Sequence, residues 1–134
     1  MSKNSRYPAL DLGPLPVATI NRLLGTELEP GNAHLSQTAH RHMARDHPDD
    51  YPICREVLAR AIACPTFVGQ APDHSRNFEL VLRVGRPDGK VVLVAIGLER
   101  NEAGNYSVRT SYLIPQRSLE VRRASGRLKL VIPR

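Results

Sequence analysis

The period of the apolar residues changes near residue 66, and that change constrains the fold more than any other feature of the chain. Before it, Leu35, Ala39 and Met43 recur at i, i+4 and i+8, and Ile53, Val57, Leu58, Ala61 and Ile62 follow a second helical stripe. After it, Asn77–Val84, Lys90–Leu98 and Tyr106–Ile114 alternate and are rich in Val, Ile, Leu and Tyr, as strands are. Ser36 is placed to cap the first helix, and Pro48 disfavours helical geometry at His47 and so ends it. Asp49 or Asp50 caps the second, with Pro52 near its first turn and Pro65 as its stop. The connections Arg86–Gly89 (RPDG) and Asn101–Asn105 (NEAGN) are short enough to make the three strands sequential antiparallel neighbours. Arg127–Ile132 also alternates and adds an edge strand. The predicted fold is α+β, with two N-terminal helices packed on a three- to four-stranded antiparallel meander sheet.

Residues 1–18 hold three prolines and show no periodicity, so they are predicted to be an irregular lead-in, with residues 19–134 a single domain. Val17–Gly31 contains a short apolar run read as a short strand or helix turn, ending at the Pro30–Gly31 turn signal. Aromatic residues make up 4% of the chain and Trp is absent, which argues against a surface that stacks many bases. The net charge is +6, and residues 115–134 carry six basic side chains against one acid, so a polyanion can dock at that end. Cys54 and Cys64 lie almost three turns apart on one helix, out of disulfide reach, and read as small core residues of a reducing compartment. No stretch approaches membrane-spanning length and no secretory leader is recognisable, so a cytoplasmic protein without membrane contact is expected.

Three of the five histidines, His40, His42 and His47, fall in HRHMARDHP. On a helix His40 and His47 share a face but sit about 10 Å apart, and His40 and His42 point roughly 160° apart, so none of these pairs spans one ion. No metal or other cofactor is expected. Acid-base chemistry asks less, because two imidazoles need only flank a substrate atom. Counted seven residues on from Leu35, His42 borders the apolar stripe and is expected to face the sheet, whereas His47 sits at the helix end, where a positive side chain is favoured. A histidine bordering a core face is otherwise a packed, hydrogen-bonded residue.

Residues 21–48, NRLLGTELEPGNAHLSQTAHRHMARDHP, lead through a Pro65-bounded helix and alternating strands to VRTSYLI and a basic stretch. This order resembles the phage- and toxin-associated nuclease domains grouped with barnase, EndoU, the tRNA-cleaving colicins and RelE, whose phage-type members run through H-x4-HP to a strand of T-x-Y type. The resemblance covers about residues 20–130 through short, degenerate motifs. It implies a metal-independent endoribonuclease with helices on a four-stranded antiparallel sheet, acting by 2′-OH attack to leave a 2′,3′-cyclic phosphate. Carried over by position, His42 and His47 match the two histidines, and Thr110 and Tyr112 the T-x-Y strand.

His42 is then the preferred acid or base and His47 the second, with Arg83 or Lys90 as the cation that offsets phosphoryl charge. Arg109 alternates away from Thr110, so only one of the two is expected in the site. Glu79 is a further carboxylate able to share acid-base duty. Lys90, Ser111, Arg122 and Arg123 are expected to bind substrate. The implied partners are RNA and a cognate immunity or antitoxin protein, with the enzyme kept in the cytoplasm, delivered into a target cell or expressed from a prophage. Two other classes compete: a non-catalytic phage structural or nucleic-acid-binding module, and a small protein-interaction domain whose basic tail holds an acidic partner.

Overall fold

The computed structural model describes residues 6–70 and 76–132. In chain order the elements are β1 (Leu10–Pro14), α1 (Val17–Leu24), β2 (Asn32–Leu35), α2 (Gln37–Asp46), α3 (Tyr51–Ala63), β3 (Phe67–Gln70), β4 (Asn77–Leu82), β5 (Val91–Arg100), β6 (Tyr106–Ile114), α4 (Gln116–Ala124) and β7 (Leu128–Leu130). The Ser36 hydroxyl accepts the Ala39 N–H and caps α2, which ends at His47 before the proline. Asp50 holds the N-cap position of α3 without a capping bond. Its carboxylate accepts the backbone N–H of Leu113 instead, at 3.0 Å.

The strands form one seven-stranded sheet in the order β1-β2-β6-β5-β4-β3-β7. Every neighbouring pair is antiparallel except β2 and β6, which run parallel. This corrects the predicted two helices on a three- to four-stranded antiparallel meander: there are four helices and a mixed sheet among the described residues. The meander strands β4, β5 and β6 occupy the segments that alternate in the sequence. What escaped were elements too short or too polar to show a period. β2 and β3 have four residues each, and α4 buries one side chain, Leu119, so it carries no apolar stripe. Leu10–Pro14, inside the stretch expected to be irregular, is an edge strand, where a proline costs no ladder hydrogen bond. Residues 1–5 of that stretch lie outside the described residues.

Two cores result. The larger lies between the sheet and α1, α2 and α3, built from residues such as Ile20, Met43, Leu58, Ile62, Phe78, Leu80, Val94 and Ile96. The smaller lies on the opposite face, where Phe67, Val81, Val91, Leu93, Ile114 and Leu128 meet Leu119 of α4. Gly69 permits the β3–β7 pairing beneath this helix, because a Cβ there would sit 2.5 Å from the Arg127 carbonyl oxygen.

β2 pairs β6 only at Tyr106 and Ser107. Beyond them α2 packs against β6, and the Asp50 carboxylate takes the Leu113 N–H, so the corner between α2 and α3 protects an edge that would otherwise stand open. That corner carries His47.

His40, not His42, is the core-facing histidine of α2. It is fully buried, its Nδ1 lies 2.8 Å from the Pro8 carbonyl oxygen and its Nε2 2.7 Å from the Tyr51 hydroxyl. A carbonyl can only accept, so Nδ1 carries the proton and Nε2 accepts from Tyr51. This bond tethers the chain ahead of β1 to α2 and α3. The expectation for His42 failed because Leu35 belongs to β2, so its position does not set the phase of the helix. The buried side chains of α2 are His40, Met43 and Ala44, and His42 points to solvent on the far side.

Candidate functional site

The face of the sheet that α4 covers only in part gathers the polar side chains of β4 and β6. Register places Glu79, Ala95 and Thr110 in one row across β4, β5 and β6, and Val81, Leu93 and Tyr112 in the next. Side chains of one row share a face, so Glu79, Thr110 and Tyr112 emerge on the same side. Between them β5 contributes the small residues Ala95 and Gly97.

Arg109 joins them through a β-bulge. Ala95 pairs with Thr110 while Ile96 pairs with Val108, so Arg109 is the extra residue on β6. Its guanidinium lies over Gly97: a Cβ built there would be 3.2 Å from Nη2 and 3.3 Å from Nε. Gly97 alternates with Ile96, which faces the larger core, and therefore opens onto the Glu79 side. Arg109 and Thr110 share one face, contrary to strict alternation, since the inserted residue resets the period.

His47 reaches this face from the protected edge of β6 and stacks on Tyr112, with ring centroids 4.8 Å apart and planes 24° from parallel. Glu79 is held by Arg122 of α4, Nε to Oε1 at 3.4 Å, with 6% of the Glu79 side chain and 18% of the Arg122 side chain exposed. Burying such a pair is a weak source of stability. The Tyr112 phenol connects the two halves of the site. Burial pushes its pKa up, the Glu79 carboxylate pushes it further, and the Arg122 guanidinium acts in the opposite direction.

The structure places His47, Glu79, Thr110, Tyr112 and Arg122 on one face, together with Arg109, which strict alternation would have turned away from Thr110. It leaves the other sequence candidates elsewhere. His42 is exposed on the outer side of α2 near Asp46. Ser111 faces the larger core, fully buried, and donates its hydroxyl to the Leu93 carbonyl oxygen. It cannot reach a substrate on the open face. Lys90 and Arg83 line a small cavity with Arg86 and Gln116 at the end of the sheet where β5 begins. Arg83 and Arg123 each place a guanidinium over the buried Phe67 ring, at 5.3 and 5.0 Å from its centroid. Arg109, weighed as a cation, was set aside in favour of Thr110 because bulges leave no mark in an alternation pattern, and the Glu79–Arg122 pair escaped because 43 residues separate its members.

Among the described residues no group of three or more His, Cys, Asp or Glu side chains is placed to hold a metal ion. Likewise, no described helix is long and apolar enough to cross a membrane. The packed phenols have a consequence for stability. Tyr51, Tyr106 and Tyr112 all titrate above the ordinary 10.0, chiefly through burial, and Cys54 above 9.0 for the same reason. A group raised on folding stabilises fully below its unfolded pKa, and that contribution is lost as pH rises through the folded value. Above the ordinary thiol value of 9.0 the urea midpoint is therefore expected to fall as pH rises; an unchanged midpoint in strong alkali would contradict this assignment. Comparison with protein-family models, curated proteins and solved structures found no match to this chain.

Proposed function

We propose that the open sheet face is the active site of a metal-independent endoribonuclease. One observation carries the proposal: an imidazole, a carboxylate and two guanidiniums, brought from four separate elements, lie on one face of the sheet around the small residues Ala95 and Gly97. The pairing of His47 with Tyr112 also joins the H-x4-HP and T-x-Y segments whose likeness to phage- and toxin-type nucleases supports the same reading.

The chemistry follows from the groups. Glu79, ion-paired with Arg122, removes the 2′-OH proton, and the 2′-oxygen attacks the adjacent phosphorus. His47 in its protonated form gives a proton to the departing 5′-oxygen. Arg109 and the terminal amino groups of Arg122 offset the charge that builds on the non-bridging oxygens, and Thr110 and Tyr112 offer hydroxyls to orient the phosphate. The bond to the 5′-oxygen breaks as the bond to the 2′-oxygen forms, leaving a 2′,3′-cyclic phosphate and a 5′-hydroxyl. An enzyme of this kind calls for a cognate inhibitor wherever it is made.

The test is incubation of the purified chain with total RNA in EDTA, followed by end analysis. Cleavage with cyclic phosphate ends is expected, and cleavage that needs added divalent ions, or none at all, would refute the proposal. Arg109→Ala is expected to slow cleavage about 100- to 1000-fold with an unchanged unfolding midpoint, because it removes a preorganised donor from an exposed position. Gly97→Ala should move the rate in the same direction, since its methyl displaces only the far end of a flexible side chain.

The near-complete burial of Glu79 and its existing ion pair favour a second reading, in which the face binds RNA without cutting it. RNA affinity that falls steeply with salt, with no product formed, distinguishes that case.

A further inference from the structure

On the reading that this face acts on RNA, we infer that α4 carries a separate pocket for a backbone phosphate next to the one that reacts, formed by Arg117, Ser118, Arg122 and Arg127. These residues, with Val121, line an open cavity of about 250 Å³. Arg117 and Val121, like Ser118 and Arg122, are four residues apart on the helix, so two adjacent ridges present their side chains to one side. Arg127 enters from beyond the Gly126 turn, which closes on the Arg123 carbonyl oxygen.

Three arginines thus line one small cavity. Arg122 spends its Nε on Glu79, which leaves its terminal amino groups as donors. Arg117 and Arg127 are exposed, and no acidic side chain pairs with either among the described residues. Mutual repulsion of unpaired cations is relieved by an anion, and a phosphodiester brings the oxygens that guanidinium forks and the Ser118 hydroxyl match.

Arg122 belongs to both this cavity and the Glu79 site. A mononucleotide fills one of them; a strand of RNA places neighbouring phosphates in both. The pocket is therefore a positioning site that sets how the strand lies over Glu79, and it favours oligomers over short fragments.

The decisive experiment compares the Arg117→Ala/Arg127→Ala double variant with the unmodified chain, using fluorescently labelled single-stranded RNA of increasing length across a salt series. Each phosphate no longer neutralised on a single strand lowers the slope of log K against log salt by about 0.7, so a drop of about 0.7 is expected for oligomers, from the one phosphate the pocket holds, and none for a dinucleotide. In cleavage assays KM should rise with kcat unchanged. An unaltered slope and KM would overturn the pocket, as would loss of binding to phosphatidylserine vesicles with RNA binding intact, which would assign the cations to a membrane surface. Binding measured in the His47→Ala background decides the pocket even if no cleavage is ever observed, so its failure and that of the nuclease proposal can be told apart.

Discussion

Replacing His47 with alanine is expected to slow RNA cleavage about 100- to 10 000-fold, the range by which a positioned general acid accelerates proton transfer. His47 lies at the C-terminus of α2 and stacks on Tyr112, so its ring is held against the face that carries Glu79 and Arg109 rather than waving in solvent. Glu79→Gln should produce a loss of the same order while keeping a hydrogen-bonding group beside Arg122. Combined, the two changes should cost little more than either alone, because acid and base serve one step and the effects of such units do not add. His42→Ala and a wild-type chain should cleave alike, since His42 points away from the sheet. Rates for His47→Ala equal to wild type, with intact folding by circular dichroism, would remove His47 from the chemistry.

Leu119→Ala is expected to lower stability by about 2–5 kcal/mol, the cost of emptying a fully buried leucine site. Leu119 is the single buried side chain of α4 and closes the smaller core over Phe67, Val81 and Leu93. Against a typical total of about 5–15 kcal/mol this is a large fraction. The loss should also loosen Arg122 from Glu79, so hydrogen exchange of α4 amides should quicken more than that of β5. A change below about 1 kcal/mol would show that α4 is held by its arginines rather than by its leucine.

How far the fold was legible depended on element length. The stripe Ile53, Val57, Leu58, Ala61 and Ile62 is long enough to identify α3 by period alone, and β4, β5 and β6 alternate over six to ten residues. The four residues of β2 and β3 hold too few repeats to distinguish a strand from a turn. α4 has a polar sequence, and a helix that buries one residue leaves no stripe to find. Of the residues on the candidate face, His47, Glu79, Thr110, Tyr112 and Arg122 were named from the sequence, whereas His42 lies exposed on the outer side of α2 and Ser111 is buried in the larger core.

By itself the sequence determined which segments could be helix or strand, the cation-rich end, and the residue types available for acid-base chemistry, since all of these follow from local period and composition. Only the tertiary structure decided which of them meet. The bulge at Arg109 turns a neighbour of Thr110 onto the same face, β2 supplies a parallel partner from 73 residues upstream, and α4 folds back to set Arg122 on Glu79. Each of these is a pairing between strands or helices that no local period encodes, because its energy comes from contacts formed only when distant segments are brought together.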